Sequence, residues 1–262
     1  MGLFNWRKKT PLPAAPPPAP AAIPPGQRVY AVGDVHGRFD LLQRLLRQIE
    51  ADDRARGPAD THVIMLGDLI DRGPQSREIV DLFVRHMPAF ARFHFVMGNH
   101  EEMLLKLIDD PDLDTMLHYL RYGGRELFES YGAPRTVLDA PDQFTPDTLP
   151  SYVPGPHRAF LAAMHDGIQF GDYFFTHAGI RPGVPIAAQE RQDLRWIRAP
   201  FLESSEHHGV VVVHGHTVVD AAELLPNRIG IDTGAYMTGL LTALGLEGTE
   251  QWLLQTRGGS GI

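Results

Sequence analysis

The chain has 262 residues, 43% of them hydrophobic, which is enough to bury the core of one α/β domain or at most two small ones. The formal net charge of -8 argues against a nucleic-acid-binding protein, because such proteins neutralise phosphates with clustered Lys and Arg. The sequence contains no cysteine, so disulfides and thiolate metal sites are excluded, and any metal must be held by nitrogen and oxygen ligands.

The first 26 residues differ in composition from the rest of the chain. In the stretch PLPAAPPPAPAAIPPG, eight of sixteen residues are proline, which favours an extended polyproline II conformation over a packed element. Residues 1–26 are therefore predicted to be a disordered basic tail with a Pro/Ala-rich spacer, and residues 27–262 to be the folded domain. The tail is too short to bury much apolar surface, so no stable membrane association is expected.

Targeting and membrane segments have sequence patterns that this chain does not match. The tail lacks the long apolar centre of a signal peptide, and no apolar run approaches the roughly 20 residues of a membrane-spanning helix. The sequence therefore predicts a cytoplasmic protein.

Three short β-forming runs follow the spacer, and each ends at a glycine followed by Asp or Asn. The runs are Val29–Val32, Val63–Leu66 and Phe93–Met97, and segments with helical spacing separate them at Phe39–Ile49 and Ile79–Phe83. Such βαβ units build parallel strands through right-handed crossovers, so the three glycine turns are expected at the same edge of one sheet. Polar residues that are distant in sequence are thereby predicted to meet.

The polar side chains at these turns share one kind of chemistry, because oxygen and imidazole donors dominate. They are Asp34 and His36 in GDVHG, Asp68, Asp71 and Arg72 in GDLIDRG, and Asn99 and His100 in GNHE. Two later runs end in histidine in the same way, at His177 in HAG and at His214 and His216 in HGHT. A single histidine of this kind is more often a hydrogen-bonded structural residue than a ligand. Five strand ends with the same chemistry favour a shared site.

Neutral imidazoles, an amide and carboxylates together suit two divalent cations, bridged by one carboxylate at the roughly 3.5–4 Å separation of two-metal hydrolases. Asp68, in the middle motif, is the natural bridge. Two cations would outweigh the negative charge of Asp34, Asp68 and a bound hydroxide by about one unit. An acidic protein can therefore bind a phosphate at this site.

The motifs GDVHG, GDLIDRG, GNHE, HAG and GHT, in this order, resemble the calcineurin-like metallophosphoesterases, and specifically their bacterial and phage phosphoprotein phosphatase branch. The similarity runs from Gln27 to Thr256 and includes SYG, WIR and IDTGA. The resemblance implies an α/β fold of the metallophosphoesterase type, a four-layer α/β/β/α sandwich with two mixed sheets packed face to face. Together with the strand pattern, it assigns the runs Arg228–Ile231, Gly239–Leu246 and Gln251–Gln255 to the second sheet.

The resemblance also implies a set of metal ligands. The first metal would be held by Asp34, His36 and Asp68, and the second by Asp68, Asn99, His177 and His216. Manganese is the expected metal, with iron or zinc as alternatives. His214 is not assigned as a ligand, because the histidine of GHT is His216.

A mechanism follows from these assignments. A metal-bound hydroxide would attack phosphorus directly, with Arg72 and Arg198 gripping the phosphoryl oxygens beside Asn99. His100 would donate a proton to the leaving alkoxide, and Asp71 would orient His100 and favour its protonated form. Glu101 and Glu102 begin a helix, where their charge favours the amino end, and no catalytic role is assigned to them.

Three functions remain open at this point. The first is a phosphatase acting on phosphoserine and phosphothreonine in proteins or on phosphorylated small molecules. The second is a diadenosine tetraphosphate hydrolase, a related family that usually lacks the equivalent of Asp71 and reads GNHD. The third is a catalytically inactive binding module, which is disfavoured because every expected ligand position is filled.

The segment from Asp109 to Gly167 is expected to rim the active site. It departs from the resemblance at Tyr122, where bacterial relatives often have Asn before the paired glycines. Histidines outside the matching motifs are interpreted as structural: His62, His94, His118, His207 and His208.

Overall fold

The structure is a computed structural model that describes residues 20–141 and 148–257. Its strands are β1 (Gln27–Val32), β2 (Asp60–Met65), β3 (Arg92–Phe95), β4 (Gly167–Phe170), β5 (Tyr173–Thr176), β6 (Val211–His214), β7 (Glu223–Leu224), β8 (Arg228–Gly230), β9 (Leu240–Glu247) and β10 (Glu250–Arg257). Its α-helices are α1 (Phe39–Arg56), α2 (Ser76–Arg85), α3 (Asn99–Asp109), α4 (Leu113–Tyr119), α5 (Arg125–Ser130), α6 (Arg135–Leu138), α7 (Leu149–Tyr152), α8 (Gly155–Ala162), α9 (Arg191–Trp196) and α10 (Ala235–Thr238).

The strands form two mixed sheets of five. The first sheet has the order β10-β9-β1-β2-β3, in which β1, β2 and β3 are parallel and β9 and β10 are antiparallel to their neighbours. The second has the order β4-β5-β6-β8-β7, with β5, β6 and β8 parallel. The β-α-β-α-β succession from β1 to β3 confirms the sequence prediction.

One part of the sequence interpretation is wrong, because β9 and β10 belong to the first sheet. β9 pairs antiparallel with β1, with Val29 opposite Leu246, and β10 pairs with β9. The backbone N–H and C=O groups on each edge of a buried strand need hydrogen-bond partners, and β2 supplies them on only one edge of β1. The strand that fills the other edge comes from the far end of the chain.

The burial of β1 explains why its sequence is almost continuously apolar. Val29 and Ala31 point into the core between the two sheets, where they pack with Phe175 and Val213. Tyr30 lies on the opposite face of the strand, in the core beneath the helices. Because successive side chains of a strand point to opposite faces, both sets must be apolar.

Helices cover the outer faces of both sheets. α1 buries Leu42, Leu45 and Ile49, spaced for one helical face, in the core outside the first sheet. On the other side, Leu194 of α9 and Phe201 pack on Phe174 and Val212 of the second sheet. The result is the four-layer α/β/β/α sandwich that the resemblance implies.

Residues 20–26, which the sequence assigned to the spacer, pack against the domain. Ile23 is 2% exposed and belongs to the core between the sheets. Its N–H donates to the carbonyl of Gly248 at 2.8 Å, and the N–H of Ala22 donates to the Asp172 carboxylate at 3.0 Å. The rest of the predicted tail and spacer, residues 1–19, lies outside the described residues. Within residues 20–141 and 148–257, no helix is long and apolar enough to cross a membrane.

Candidate metal centre

The turns that carry the polar motifs have an unusual backbone. Among the described residues, the non-glycine residues with positive φ are His36, Asp68, Asp71, Arg72 and His216, with φ between 44° and 70°. L-residues rarely adopt this left-handed conformation, and its energetic cost concentrates at functional sites. Every one of these five residues belongs to the site set predicted from the sequence.

The turn after β2 packs directly on the turn after β3. Gly67 has φ of 96°, and a Cβ atom there would lie 2.7 Å from the Gly98 nitrogen. Only glycine allows this approach, which brings Asp68 next to Asn99 and His100. The N–H of His100 donates to Oδ1 of Asp68 at 3.1 Å.

The Asp68 carboxylate lies between imidazoles from both sheets. Its Oδ2 is 3.4 Å from Nε2 of His36, and its Oδ1 is 3.4 Å from Nε2 of His177. Burial would raise the pKa of Asp68, but the charge of the neighbouring imidazoles, among them that of His100, outweighs it and holds the pKa below its usual range. The two oxygens of one ionised carboxylate therefore face two separate imidazole groups, which is the arrangement a bridging ligand requires.

Backbone carbonyls fix the tautomers of two of these imidazoles. Nδ1–H of His36 donates to the carbonyl of Ile70 at 2.9 Å, and Nδ1–H of His177 donates to that of Leu66 at 2.8 Å. Burial lowers the pKa of both rings, so each is neutral with a lone pair on Nε2. Nε2 of His36 is buried and has no hydrogen-bond partner among the described residues. A metal ion is the partner that this chemistry suits.

Asn99 supplies a second indication of a cation site. Its Oδ1 lies 2.9 Å from Nε2 of His177 and 2.9 Å from Nδ1 of His216. Nε2 of His177 carries a lone pair, so it and the amide oxygen are both acceptors, and a cation bound by both would satisfy them. These donor atoms and Oδ1 of Asp68 fit a divalent metal held by nitrogen and oxygen.

The ligand atoms fall into two groups. In each group, all ligand atoms lie within 4.8 Å of one another. One group is His36, Asp68 and His100, and the other is Asp68, His177 and His216. Asp34, which the resemblance assigns to the first metal, lies outside both groups. Its two carboxylate oxygens accept from the N–H of His216 at 3.3 and 3.1 Å.

Asp34 lies close to a further carboxylate that the sequence analysis did not assign. Burial, together with the charges of Asp232 and Asp68, raises the pKa of Asp34 well above its usual value. Burial also raises the pKa of Asp232 to about 6, although its Oδ1 accepts from the N–H of Gly234 at 2.9 Å. Neighbouring buried carboxylates repel one another, and bound cations would relieve that repulsion.

His100 and Asp71 form a close pair beside these groups. Nδ1 of His100 is 2.7 Å from Oδ2 of Asp71, and the Tyr119 hydroxyl donates to Oδ1 of Asp71 at 2.7 Å. Burial lowers the pKa of His100, but the carboxylates of Asp68 and Asp71 outweigh it and raise the pKa to about 9. Tyr119 comes from α4 and was not found by sequence reasoning, because no motif marks it.

The two arginines differ in their surroundings. Nη2 of Arg72 is 3.1 Å from Nε2 of His100, and the Arg72 N–H donates to the carbonyl of Gly123 at 3.0 Å. Arg198 is exposed, and its charge contributes, after burial, to the lowered pKa of His177. Neither guanidinium has a carboxylate within 4 Å among the residues that the structure describes.

Glu101 has a structural role that the helix-dipole explanation missed. Its carboxylate is fully buried and accepts from the N–H groups of Asp68, Leu69 and Gly98 at 2.9, 2.8 and 3.1 Å. It therefore supports the turn that carries Asp68. The available signal was its position three residues after Gly98, where a capping-box glutamate reaches back to the backbone.

Glu102 connects the same helix to the segment that carries Arg198. Its Oε1 accepts from Nη1 of Arg195 at 2.8 Å, and its Oε2 accepts from Nε1 of Trp196. Asp166 accepts from Nε of the same Arg195 at 2.8 Å. The carboxyl-terminal end of α9 is thus tied to the start of α3.

Three histidines outside the ligand groups, His62, His94 and His214, make hydrogen bonds of their own. His214 is buried, its Nδ1–H donates to the carbonyl of Gly215 at 3.1 Å, and burial lowers its pKa to about 4. Nδ1 of His62 lies 2.9 Å from Nε2 of His94, in a pair formed between β2 and β3.

Comparison with known proteins agrees with this geometry. The family model of the calcineurin-like phosphoesterases matches residues 27–238. Serine/threonine-protein phosphatase 2 of Escherichia coli K12 is 28% identical over 224 residues, covering 82% of this chain and 91% of that protein. The asymmetrical bis(5'-nucleosyl)-tetraphosphatase PrpE of Anoxybacillus flavithermus is 26% identical over 234 residues, covering 81% of this chain and 88% of that protein.

A solved structure, provisionally named a diadenosine tetraphosphatase, has the same fold. It superimposes with a TM-score of 0.60 at 21% identity, covering 92% of this chain and all of that one. The match of the family model to most of the domain, over the residues that carry the donor groups, confirms the resemblance read from the motifs. The chain belongs to the calcineurin-like phosphoesterase family and is a hydrolase of the metallophosphoesterase type.

Proposed function

We propose that the protein is a metal-dependent phosphomonoesterase that removes phosphate from phosphoserine and phosphothreonine in proteins. The observation that carries the proposal is the 2.7 Å pair of His100 and Asp71 beside the donor groups. The alkoxide of serine or threonine is a poor leaving group and needs a proton. A buried imidazole whose pKa is raised to about 9 holds that proton at neutral pH.

Two divalent cations per chain would occupy the site, with manganese expected and iron or zinc as alternatives. The proposed ligands are Asp34, His36, Asp68, Asn99, His177 and His216. When bound, the cations would supply positive charge for the phosphate and lower the pKa of the attacking water. Asp68, with one oxygen facing His36 and the other facing His177, is the proposed bridge.

Arg72 and Arg198 are the proposed phosphate clamps, with Asn99 and His100 as further contacts. Both guanidiniums lack a carboxylate partner among the described residues, so their charge is available to an anion. The planar fork of arginine matches two oxygens of a phosphoryl group and stabilises the charge of the transition state.

The contact between Arg72 and His100 suggests how phosphate enters. Nη2 of Arg72 can donate to Nε2 of His100 only while that ring is neutral, whereas Asp71 and Asp68 favour the protonated ring. A phosphate ester between them would accept from both cationic groups. Binding of the substrate would thus separate the two side chains and leave the His100 proton directed at the leaving oxygen.

The test is turnover of a phosphothreonine peptide by the manganese-loaded protein and by three variants. Asp68→Asn, His100→Asn and Arg72→Ala are each expected to lower kcat/KM at least 100-fold, in line with loss of a metal bridge, a general acid or a charge clamp. Circular dichroism would check that each variant is folded. A folded Asp68→Asn protein that retains wild-type turnover would contradict the proposal.

A second candidate is hydrolysis of dinucleoside tetraphosphates, and the identity to the asymmetrical tetraphosphatase of Anoxybacillus flavithermus favours it. The two candidates share the metal site and differ in the leaving group. A phosphate leaving group needs less help from a general acid than an alkoxide does, so His100→Asn should impair the peptide reaction more than the nucleotide reaction. Comparing kcat/KM on the phosphothreonine peptide and on diadenosine tetraphosphate would decide between them.

The third function, an inactive binding module, makes a different prediction about metal. Such a module would retain no stoichiometric metal after dialysis against manganese. Elemental analysis of the reconstituted protein therefore separates it from both enzymes.

A further inference from the structure

The guanidinium of Arg72 is held by an aromatic ring rather than by a carboxylate. Its Cζ lies 4.6 Å from the centre of the Tyr236 ring, over the ring face. On its other side, Nη2 is 3.1 Å from Nε2 of His100. The Arg72 backbone has φ of 65°, and its N–H is hydrogen-bonded to the carbonyl of Gly123. The backbone end of the side chain and the guanidinium end are therefore both held in place.

Tyr236 is itself fixed by its short helix. It is the second residue of α10, which lies between Gly234 and Gly239, both left-handed with φ of 68° and 71°. Ala235 is buried, and the Tyr236 ring meets the ring of His36 edge-to-face, with centroids 5.3 Å apart. The ring therefore touches both a proposed metal ligand and a proposed phosphate clamp.

The choice of a ring as partner has a chemical consequence. A carboxylate at this position would neutralise the guanidinium and compete with an incoming phosphate. The ring face attracts the cation through its quadrupole and leaves the positive charge intact. It also restricts the flexible side chain, so that less freedom is lost when an anion binds.

We propose that Tyr236 is a positioning residue that holds the Arg72 guanidinium, with its charge free, at the phosphate-binding position. The inference rests on the proposed function in that Arg72 is taken to bind phosphate. The ring carries this role and the hydroxyl does not, because no hydrogen bond of that hydroxyl is found among the described residues. Phenylalanine is therefore expected to substitute for tyrosine, and leucine is not.

The first experiment is a double-mutant cycle on the manganese-loaded protein. Tyr236→Phe and Tyr236→Leu are made in the wild type and in an Arg72→Ala background, and KM for para-nitrophenyl phosphate and the inhibition constant of inorganic phosphate are measured. Tyr236→Leu is expected to raise both constants roughly three- to tenfold, and Tyr236→Phe to leave them near the wild type. In the Arg72→Ala background, neither change should have a further effect.

Two results of this cycle would overturn the inference. One is a Tyr236→Leu protein with wild-type phosphate inhibition. The other is an equal loss in the Arg72→Ala background, which would mean that the ring acts through His36 instead. Metal content measured on every variant would show directly whether the ring acts through His36.

A spectroscopic readout on the metal-free protein is independent of activity. The side-chain Nε–H resonance of Arg72, identified by its disappearance in Arg72→Lys, is expected upfield because it lies near the ring face. It should stay upfield in Tyr236→Phe and move downfield in Tyr236→Leu, and an unchanged position in Tyr236→Leu would refute the inference. A wild-type protein that hydrolyses no phosphoester would refute the proposed function while leaving this measurement valid.

Discussion

At the scale of single residues, the protonation of His100 depends on its partner Asp71. The carboxylate lies 2.7 Å from Nδ1, and with Asp68 it raises the pKa of His100 to about 9 against the effect of burial. If His100 acts as the general acid, activity is lost as pH rises through its pKa.

We therefore expect Asp71→Asn to move the basic limb of the kcat/KM profile to lower pH by about one unit or more. Removing the negative charge of Asp71 takes away stabilisation of the protonated His100 ring, so the pKa of His100 falls. Tyr119→Phe is the matched control, because it removes one hydrogen bond to the same carboxylate but leaves the charge, and a smaller displacement is expected. A basic limb at the same pH in Asp71→Asn would show that His100 is not the group that titrates.

Glu101 acts on the turn of Asp68 rather than on substrate. Replacing it with glutamine keeps its size but turns one acceptor oxygen into an amide that faces backbone N–H groups. We expect Glu101→Gln to lower the free energy of unfolding by about 1–3 kcal/mol, the cost of buried unsatisfied donors. Urea unfolding of the metal-free protein measures this directly. Glu50→Gln, on the solvent side of α1, is a control that is expected to change stability little. An equal effect of both substitutions would contradict the role of Glu101 in supporting the turn.

At the scale of elements, the contact between α3 and α9 locates Arg198. Glu102 binds Arg195 and Trp196, which stand three and two positions before Arg198. We expect Glu102→Ala to raise KM about fivefold, equivalent to about 1 kcal/mol of binding, with manganese content unchanged. Steady-state kinetics with a matched Glu102→Gln variant, which keeps an acceptor for Trp196, should give an intermediate KM. A loss of bound manganese in Glu102→Ala would mean that the contact supports the ligands instead.

The pairing of β2 with β3 brings His62 and His94 into contact, with stacked rings 5.1 Å apart. Burial lowers the pKa of both below the unfolded value of about 6.5. The unfolded chain therefore binds more protons once pH falls below that value. Stability that is fully present above about pH 6.5 is lost as pH decreases towards the folded pKa values.

Urea unfolding of the metal-free protein should accordingly show a midpoint that decreases from neutral to mildly acidic pH. His94→Phe is expected to reduce this dependence, since it removes one of the rings whose pKa burial lowers. His118→Gln changes an exposed histidine and should leave the dependence as in the wild type. If His94→Phe shows the full wild-type dependence, the pair does not contribute.

The elements also show what the sequence could predict. Runs such as Val29–Val32 and Val63–Leu66 predict buried parallel strands because both faces of those strands are covered. The run Phe93–Met97 is longer than β3, because after Phe95 the chain turns to His165, whose carbonyl accepts from the Met97 N–H at 2.7 Å. Tyr119 lies 48 residues from Asp71, and Asp232 lies far along the chain from Asp34. Such contacts depend on tertiary packing and leave no local pattern.

At the scale of the whole molecule, the donor groups come from both sheets. Asp68 follows β2 of the first sheet, whereas His177 and His216 follow β5 and β6 of the second. The cytoplasmic location and the disorder of residues 1–19 remain predictions.

Bound cations should consequently hold the two sheets together. We expect saturating manganese to raise the midpoint of thermal unfolding, since a ligand at 100 times its Kd adds about 2.7 kcal/mol. Differential scanning calorimetry with and without manganese would measure the change, and Asp68→Asn should abolish most of it. Calcium, which prefers more oxygen ligands, is the control ion and should have less effect. A wild-type midpoint insensitive to manganese would argue against a site between the sheets.

The left-handed turns limit which amino acids can ever stand at the site. They hold His36, Asp68, Asp71, Arg72 and His216, and asparagine and glycine tolerate such φ values far better than branched side chains do. In a library of random replacements, valine or isoleucine at these five positions would damage the backbone as well as the chemistry, so low expression and low activity would be confounded. Asparagine scanning would separate the two effects, because it removes the functional group while the backbone keeps its left-handed conformation.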